Sequence, residues 1–175
     1  MISESKAELY FIGDDAPASK PYLYRECGLD NIYLMNGFSI DTVDGEEVVS
    51  VENVDGLWKA IGLNLVASKK TLSPQEIRFL RTQMGMTQAD LARMLRVDDQ
   101  TVARWEKKKC SIPGPADLGL RMLFLNSDVA QPEGNEILIH LQQTISNLIE
   151  QDAPLIEQMT FARHLDGWEP QRIRM

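Results

Sequence analysis

The chain has 175 residues, of which 43% are hydrophobic, and its 18 Lys and Arg against 26 Asp and Glu give a net charge of −8. This length allows one large domain or two small ones, and the apolar content is sufficient for packed cores. No apolar run reaches the ~18 residues that a membrane span needs, and the N-terminus lacks the basic and apolar pattern of a signal peptide. We therefore expect a soluble, cytoplasmic protein.

The charge is distributed unevenly along the chain. Residues 1–68 carry 4 Lys and Arg against 12 Asp and Glu, residues 69–110 carry 10 against 5, and residues 111–175 carry 4 against 9. Because a polyanion binds where the local potential is positive, a nucleic acid would bind the central segment despite the negative total. The acidic remainder should weaken nonspecific binding.

The N-terminal part predicts a small antiparallel sheet of three or four strands. Residues 22–24 and 31–38 are rich in β-forming side chains. The Asp-Gly pair at 44–45 is a hairpin turn signal between the strands expected at 38–43 and 46–51. We assign this sheet to a β-rich domain at the start of the chain.

Two helices follow the sheet. Residues 53–68 have the apolar spacing of an amphipathic helix, which completes a first domain of residues 1–68. The next helix spans residues 71–84, where Ser73-Pro74-Gln75-Glu76 is a capping box with proline at the first helical position. Gly85 ends this helix in the left-handed conformation.

The stretch from residue 87 to residue 107 predicts two short helices joined by a tight turn. Thr87 can cap the first helix together with Asp90, and Leu91, Ala92 and Leu95 form its apolar face. A second domain of residues 69–127 contains both helices.

The second short helix, residues 98–108, has a buried side and a polar side. Asp98 is the expected N-cap, and Val102 and Trp105 lie on the buried side. The polar side carries amide, hydroxyl and cationic groups, which suit base edges and phosphates. The residues expected to contact DNA, including one from the first helix, are Gln88, Asp99, Gln100, Thr101, Arg104, Lys107 and Lys108.

This pattern resembles the Cro/cI-type (XRE) helix-turn-helix family. The matching positions are Gln88, Leu91-Ala92, Val97, Val102 and Trp105-Glu106. The resemblance implies a helix-turn-helix with residues 98–108 as the recognition helix. One position departs from the family, because Arg96 stands where the turn usually has Gly, and a left-handed Arg costs about 1 kcal/mol.

The stretch from Tyr24 to Phe38 (YRECGLDNIYLMNGF) resembles the N-terminal segment of MqsA/YgiT-type regulators and antitoxins. In these proteins a small sheet domain precedes an XRE-type helix-turn-helix. Residues 76–81 (EIRFLR) and 112–117 (IPGPAD) resemble the same proteins. Many of them hold the sheet domain together with a zinc site of four cysteines. This region has only Cys27, so we expect no structural zinc and no other cofactor.

The remaining chain predicts a helix, a second helix and a hairpin. Residues 116–125 form the first helix, with Leu118, Met122 and Leu125 inward. A third segment, residues 128–175, contains the other two elements.

The helix expected at residues 136–151 has a wide apolar stripe, which either packs onto the preceding helix or forms a dimer interface. This stripe consists of Ile137, Leu141, Ile145 and Leu148. The last element is a hairpin of residues 159–165 and 168–173 with a turn at 166–167. The hairpin could join the N-terminal sheet or pair with a partner chain.

No catalytic constellation is found. The histidines, His140 and His164, have no nearby nucleophile or ligand spacing, and Cys27 and Cys110 are too far apart for a zinc or disulfide pattern. We therefore expect an α+β protein that is not an enzyme. It would bind double-stranded DNA as a homodimeric regulator, most simply a repressor at a palindromic operator. The alternative is an antitoxin that neutralises a partner toxin and represses its own operon.

Overall fold

The structure, a computed structural model, describes residues 18, 20–68, 71–131, 133, 159–165 and 167–171. The strands in these ranges are Tyr22–Tyr24 (β1), Ile32–Leu34 (β2), Phe38–Val43 (β3), Glu46–Val51 (β4), Met159–His164 (β5) and Gly167–Gln171 (β6). The helices are Val54–Ser68 (α1), Pro74–Gln83 (α2), Gln88–Leu95 (α3), Asp99–Glu106 (α4) and Gly114–Leu125 (α5). The predicted α+β class is confirmed. The helix expected at residues 136–151, with its apolar stripe, lies outside the described residues.

The chain divides into two compact units. The first consists of the described parts of residues 1–25, 30–57 and 157–175, and the second of those of residues 26–29 and 58–156. The first unit contains all six strands named above. The second contains helices α2 to α5 and most of α1.

The first unit is built on a four-stranded sheet in the order β1-β2-β5-β6. Strands β1 and β2 are antiparallel, but β2 runs parallel to β5, with Ile32 opposite Met159 and Leu34 opposite Phe161. The sheet is therefore mixed, whereas the sequence predicted antiparallel pairing. Turn signals indicate antiparallel neighbours, while a parallel pair joins segments that are distant in sequence and leaves no local signal.

The C-terminal hairpin joins the N-terminal sheet, which decides between the two alternatives left by the sequence. Strands β5 and β6 are antiparallel, and His164 pairs with Gly167. The sequence placed Gly167 in the turn, but Gly167 already belongs to β6.

Strands β3 and β4 form a separate two-stranded ribbon. Asp44 and Gly45 connect them with positive φ angles of 52° and 84°, as a type I′ turn requires. The predicted hairpin is confirmed at both strands, Phe38–Val43 and Glu46–Val51.

The second unit ties α1 and α2 to α5 through a buried ion pair. The Arg121 Nε atom lies 2.8 Å from the Asp117 carboxylate, and the guanidinium also donates to the backbone oxygens of Leu65 and Val66 near the end of α1. The other Asp117 oxygen accepts from the backbone N–H of Leu72, just before α2. One charged pair thus satisfies backbone groups on both sides of the α1–α2 connection.

The buried side of α5 contains this ion pair and differs from the side that the sequence predicts to be buried. Leu118 and Met122 were expected to be buried, but they are 38% and 36% exposed. Leu120, Phe124 and Leu125 are fully buried instead. Of the three residues expected to face inward, only Leu125 does so, because the buried positions of α5 include the charged pair as well as apolar residues.

Gly37, which precedes β3, provides a test of close packing in the first unit. Its φ is +71°, and a Cβ there would lie 2.7 Å from the Trp168 ring. Gly28 has a similar φ of +80° with no atom within 4 Å of a Cβ. We expect Gly28→Ala to lower the free energy of unfolding by about 1 kcal/mol, the cost of left-handed backbone. Gly37→Ala should lower it by about 2–4 kcal/mol, because overpacking adds to that cost.

Urea unfolding of both variants, followed by tryptophan fluorescence, measures the difference. Equal losses for the two substitutions would contradict tight packing of Trp168 on Gly37.

Candidate nucleic-acid interface

Helices α2 and α3 begin at the capping boxes that the sequence predicts. At α2, the Ser73 hydroxyl accepts from the backbone N–H of Glu76, and the Glu76 carboxylate accepts from the backbone N–H of Ser73. At α3, Thr87 and Asp90 form the same reciprocal pair. Both boxes fix the start of a helix by satisfying amides that the helix itself leaves free.

The capping box of α3 also affects an ionisable group. The backbone N–H and the hydroxyl of Thr87 both donate to the Asp90 carboxylate, the hydroxyl at 2.6 Å. These bonds, with the Thr87 hydroxyl as the largest cause, lower the pKa of Asp90 below its ordinary value. A lowered carboxylate pKa stabilises the fold above the unfolded pKa. That contribution is lost as the pH falls through the folded pKa.

The turn between α3 and α4 is centred on Arg96, as the sequence predicts. Arg96 has φ 55° and ψ 45°, which is left-handed backbone, and the N–H of Val97 reaches back 2.9 Å to the Ala92 carbonyl. The turn therefore has the geometry that usually requires Gly.

Helices α3 and α4 pack through small and large apolar side chains. Leu91 and Val102 are fully buried, and Ala92 and Trp105 are only 2% exposed. Ala92 leaves room for the close approach of α4, which confirms the buried sides predicted for both helices.

The opposite side of α4 faces solvent. Gln100 and Arg104 are exposed, and Thr101 is half-buried. Arg104 shares a helical face with both of the others, because it follows Thr101 by three residues and Gln100 by four. Exposed amide and guanidinium groups on one face of a short helix have the chemistry to contact base edges in a major groove.

The two ends of α4 differ from the sequence interpretation. Asp98 occupies the N-cap position, but its side chain makes no capping bond. The carboxylate of Asp99 accepts from the backbone N–H of Gln100 at 2.8 Å. The helix ends at Glu106, so Lys107 and Lys108 lie in the exposed C-terminal turn and not within the helix.

Lys108 itself adopts left-handed backbone with φ 58°. The N–H of Lys108 donates to the Trp105 carbonyl, and the N–H of Lys109 to the Arg104 carbonyl. These two bonds are the pattern of a Schellman motif, which terminates a helix by satisfying its last carbonyls.

A buried polar network joins α2, α3 and α4. The Arg81 guanidinium bonds both oxygens of Glu106, at 2.6 and 3.1 Å, and donates to the Met86 carbonyl at 2.6 Å. The Gln88 amide nitrogen donates to the same Glu106 carboxylate at 2.7 Å. Gln88, at the start of α3, is therefore held by a residue at the end of α4.

The sequence interpretation missed this network. Arg81 was expected to point away from the core, but it is buried. The sequence does contain a signal, because Arg81 is four residues after the buried Ile77 and therefore falls on the same side of α2. A charged residue on a buried stripe requires a partner, and Glu106 is that partner.

Within the part of the chain that the structure describes, no helix is long and apolar enough to cross a membrane. The same residues contain no group of three or more His, Cys, Asp and Glu side chains that could hold a metal ion. Cys27 is half-buried and Cys110 is exposed, and neither forms a disulfide bond within the described part of the chain. The expected absence of zinc stays a prediction.

Residues 77–116, from α2 to the start of α5, match a family described as helix-turn-helix. The matched segment and its geometry define a DNA-binding helix-turn-helix domain. It is of the XRE type, and the chain is a DNA-binding regulator. No curated protein and no solved structure matches the chain. The resemblance to MqsA/YgiT-type proteins stays a prediction.

The Arg81–Glu106 pair can be tested against an exposed pair nearby. The side chains of Arg81 and Glu106 are 11% and 5% exposed, whereas those of Arg93 and Asp90 are 76% and 42% exposed. We expect Arg81→Met to lower the free energy of unfolding by about 3–5 kcal/mol, because it leaves a buried carboxylate without its cation. Arg93→Met should change it by at most about 0.5 kcal/mol.

Chemical denaturation of the two variants beside the wild-type chain measures this contrast. A loss at Arg81 no larger than that at Arg93 would mean that removing the cation does not leave an uncompensated buried charge on Glu106.

Proposed function

We propose that the protein is a transcriptional repressor that binds a palindromic operator as a homodimer. The exposed side of α4 carries this proposal, because it presents Gln100, Thr101 and Arg104 together on a helix whose other side is held by Val102 and Trp105. A recognition helix fixed by its core and polar on its free side is the arrangement that enters a major groove.

The side chains on this surface have distinct roles in the proposal. Arg104 reads a guanine through O6 and N7, and Gln100 pairs with an adenine. Lys107 and Lys108 contact phosphates, which fix the position of the helix without reading sequence. Gln88 contacts a phosphate from the start of α3.

Thr101 and Asp99 complete the proposed interface. The Thr101 hydroxyl can contact a base edge. The Asp99 carboxylate would repel phosphates, so it is placed where it accepts a hydrogen bond from a cytosine amino group.

Substitutions at Arg104 and Lys108 distinguish contacts to bases from contacts to phosphates. Selection from a randomised duplex library at fixed salt first yields the preferred site. We expect Arg104→Ala to weaken binding to that site by about 1–3 kcal/mol and to relax the preference at one position. Lys108→Ala should weaken binding to all sequences alike. It should also reduce, by about one, the slope of the logarithm of the binding constant against the logarithm of the salt concentration. Alanine has a Cβ atom, as lysine does, so Lys108→Ala does not change the steric cost of the left-handed backbone at this position.

An unchanged sequence preference for Arg104→Ala would show that Arg104 does not read a base. If the library yields no preferred site for the wild-type chain, sequence-specific binding itself is wrong.

The homodimer is proposed from the palindromic geometry that helix-turn-helix proteins use, in which two recognition helices lie about one helical turn apart. With β5 and β6 paired within the first unit, the hairpin is no longer the favoured interface. The apolar stripe at residues 137–148 remains the proposed interface. Leu118 and Met122 on α5 form a second exposed apolar surface that a partner copy could cover.

Charge substitutions discriminate these two surfaces. We expect Leu141→Glu with Ile145→Glu to give a monomer with much weaker operator binding, because a symmetric apolar contact would bury like charges. Leu118→Glu with Met122→Glu, the matched control on α5, should leave the dimer intact. Sedimentation velocity measures the association state. Dissociation by the α5 pair alone would move the interface to α5, and dissociation by neither pair would exclude both surfaces.

The second candidate function is that of an antitoxin, which requires a protein-binding surface outside the helix-turn-helix. The observation in favour of this function is the exposed ribbon of β3 and β4, which carries apolar side chains that a partner could cover. Both candidate functions share DNA binding by α4. A neighbouring reading frame that encodes a small protein, and growth arrest by that protein alone, would favour the antitoxin.

A further inference from the structure

The ribbon of β3 and β4, residues 38–51, has large apolar side chains that are exposed to solvent. Ile40 is 49% exposed, Val43 54% and Val48 44%. Neither outer edge of the ribbon pairs with another strand among the described residues. Exposed β-branched side chains beside open strand edges are the features of a surface that binds another chain.

The base of the ribbon is firmly attached to the first unit. The Trp168 ring packs against Gly37, and its indole N–H donates to the carbonyls of Glu52 and Asn53. The backbone N–H of Glu52 donates to the Gly37 carbonyl at 2.9 Å, and the Glu52 carboxylate pairs with Arg163. Both strands of the ribbon are therefore held at its base, at Gly37 before β3 and at Glu52 after β4. The exposed part of the ribbon has a defined orientation as a result.

The register of the ribbon divides its side chains into two faces. Ile40 pairs with Val49, and Phe38 with Val51, so one face is apolar for two consecutive pairs. Asp41 pairs with Val48, and Val43 with Glu46, so the other face alternates acidic and apolar side chains. Glu47, which pairs with Thr42, adds one carboxylate to the first face. A partner strand would therefore find apolar side chains on both faces, with Asp41 and Glu46 together on the second face.

The charge of the ribbon limits what can bind it. Residues 38–51 carry four carboxylates, Asp41, Asp44, Glu46 and Glu47, and no Lys or Arg. Nucleic acid is excluded because its phosphates would be repelled. A second ribbon from another copy is disfavoured for the same reason, since like charges would lie opposite one another.

We propose that the ribbon is the docking surface for a partner protein that contributes an extended segment with alternating basic and apolar side chains. The segment adds a strand to an open edge of the ribbon, so main-chain hydrogen bonds supply affinity. Its basic residues face Asp41 and Glu46, which supply specificity. This inference deepens the second candidate function by naming the surface and the chemistry of the partner, and it does not depend on DNA binding by α4.

The test is a selection of random ten-residue peptides displayed on phage against the full-length chain. Ile40→Thr with Val48→Thr replaces one exposed apolar side chain on each face of the ribbon and keeps the β-branched shape of the strands. Asp41→Asn with Glu46→Gln removes charge from one face. The control, Asp30→Asn with Asp128→Asn, removes the same charge at two exposed positions outside the ribbon.

We expect the wild-type chain and the control to enrich peptides in which basic and apolar residues alternate. Peptides synthesised from the enriched set should bind each ribbon variant at least about tenfold more weakly, and they should protect backbone amides of residues 39–50 from hydrogen exchange. The proposal is overturned by three results: no enrichment, enrichment of acidic peptides, or equal binding to the ribbon variants. It is also overturned if sedimentation shows that the ribbon variants abolish self-association, because the occupant is then a second copy.

DNA binding is measured on the same samples. Ribbon variants that lose peptides but keep DNA support the proposal whatever the operator is. A wild-type chain that binds peptides at the ribbon but selects no DNA site contradicts the proposed repressor and leaves the docking surface in place.

Discussion

The bidentate pair between Arg81 and Glu106 is the interaction on which the helix-turn-helix depends. It connects the helix that leads into the motif to the last residue of the recognition helix, and Gln88 adds the start of α3 to the same carboxylate. A buried pair of this kind does not guarantee stability, because desolvation offsets most of its attraction. Its geometric requirement is strict, however, since any displacement of α4 would separate two buried charges. The pair therefore determines the orientation of α4 relative to α2 more than it raises the free energy of unfolding. A recognition helix requires a fixed orientation.

The features that sequence predicts well here are those that nearest neighbours determine. The capping boxes at Ser73 and Thr87 and the Asp-Gly turn of the ribbon each follow from a few adjacent residues, and all three are confirmed. The left-handed Arg96 could be expected only from the resemblance to a family that usually has Gly in this turn. The parallel pairing of β2 with β5 was missed because nothing in either strand specifies a distant partner. The inward face of α5 was misjudged because a buried Asp117–Arg121 pair looks polar in sequence, whereas Leu118 and Met122 look apolar. Of the proposed DNA contacts, the exposed positions could be predicted from helical spacing, but the bond that holds Gln88 to Glu106 could not.

The segregation of charge along the chain has a physical consequence for binding. A net charge of −8 coexists with a central segment in which Lys and Arg outnumber Asp and Glu by two to one. Nonspecific binding to DNA grows with the number of phosphates neutralised and is weakened by nearby carboxylates. We therefore expect the carboxylates outside this segment to lower the affinity for every DNA sequence alike, without altering the base contacts proposed for α4. Because this penalty is the same for every sequence, the ratio of specific to nonspecific binding is unchanged, and sequence-independent binding to other DNA becomes weaker.

Two of the positively charged residues of this segment also have strained backbone at the ends of helices. Gly85 ends α2 in the left-handed region at no steric cost, but Arg96 and Lys108 occupy the same region at the ends of α3 and α4. Each non-glycine residue there costs about 1 kcal/mol. A cation at a helix C-terminus regains about 0.3–1 kcal/mol from the helix dipole, so the two terms nearly cancel. Glycine would remove the strain but also two of the ten positive charges of residues 69–110. At these two positions the chain keeps positive potential next to the recognition helix at little net cost in stability.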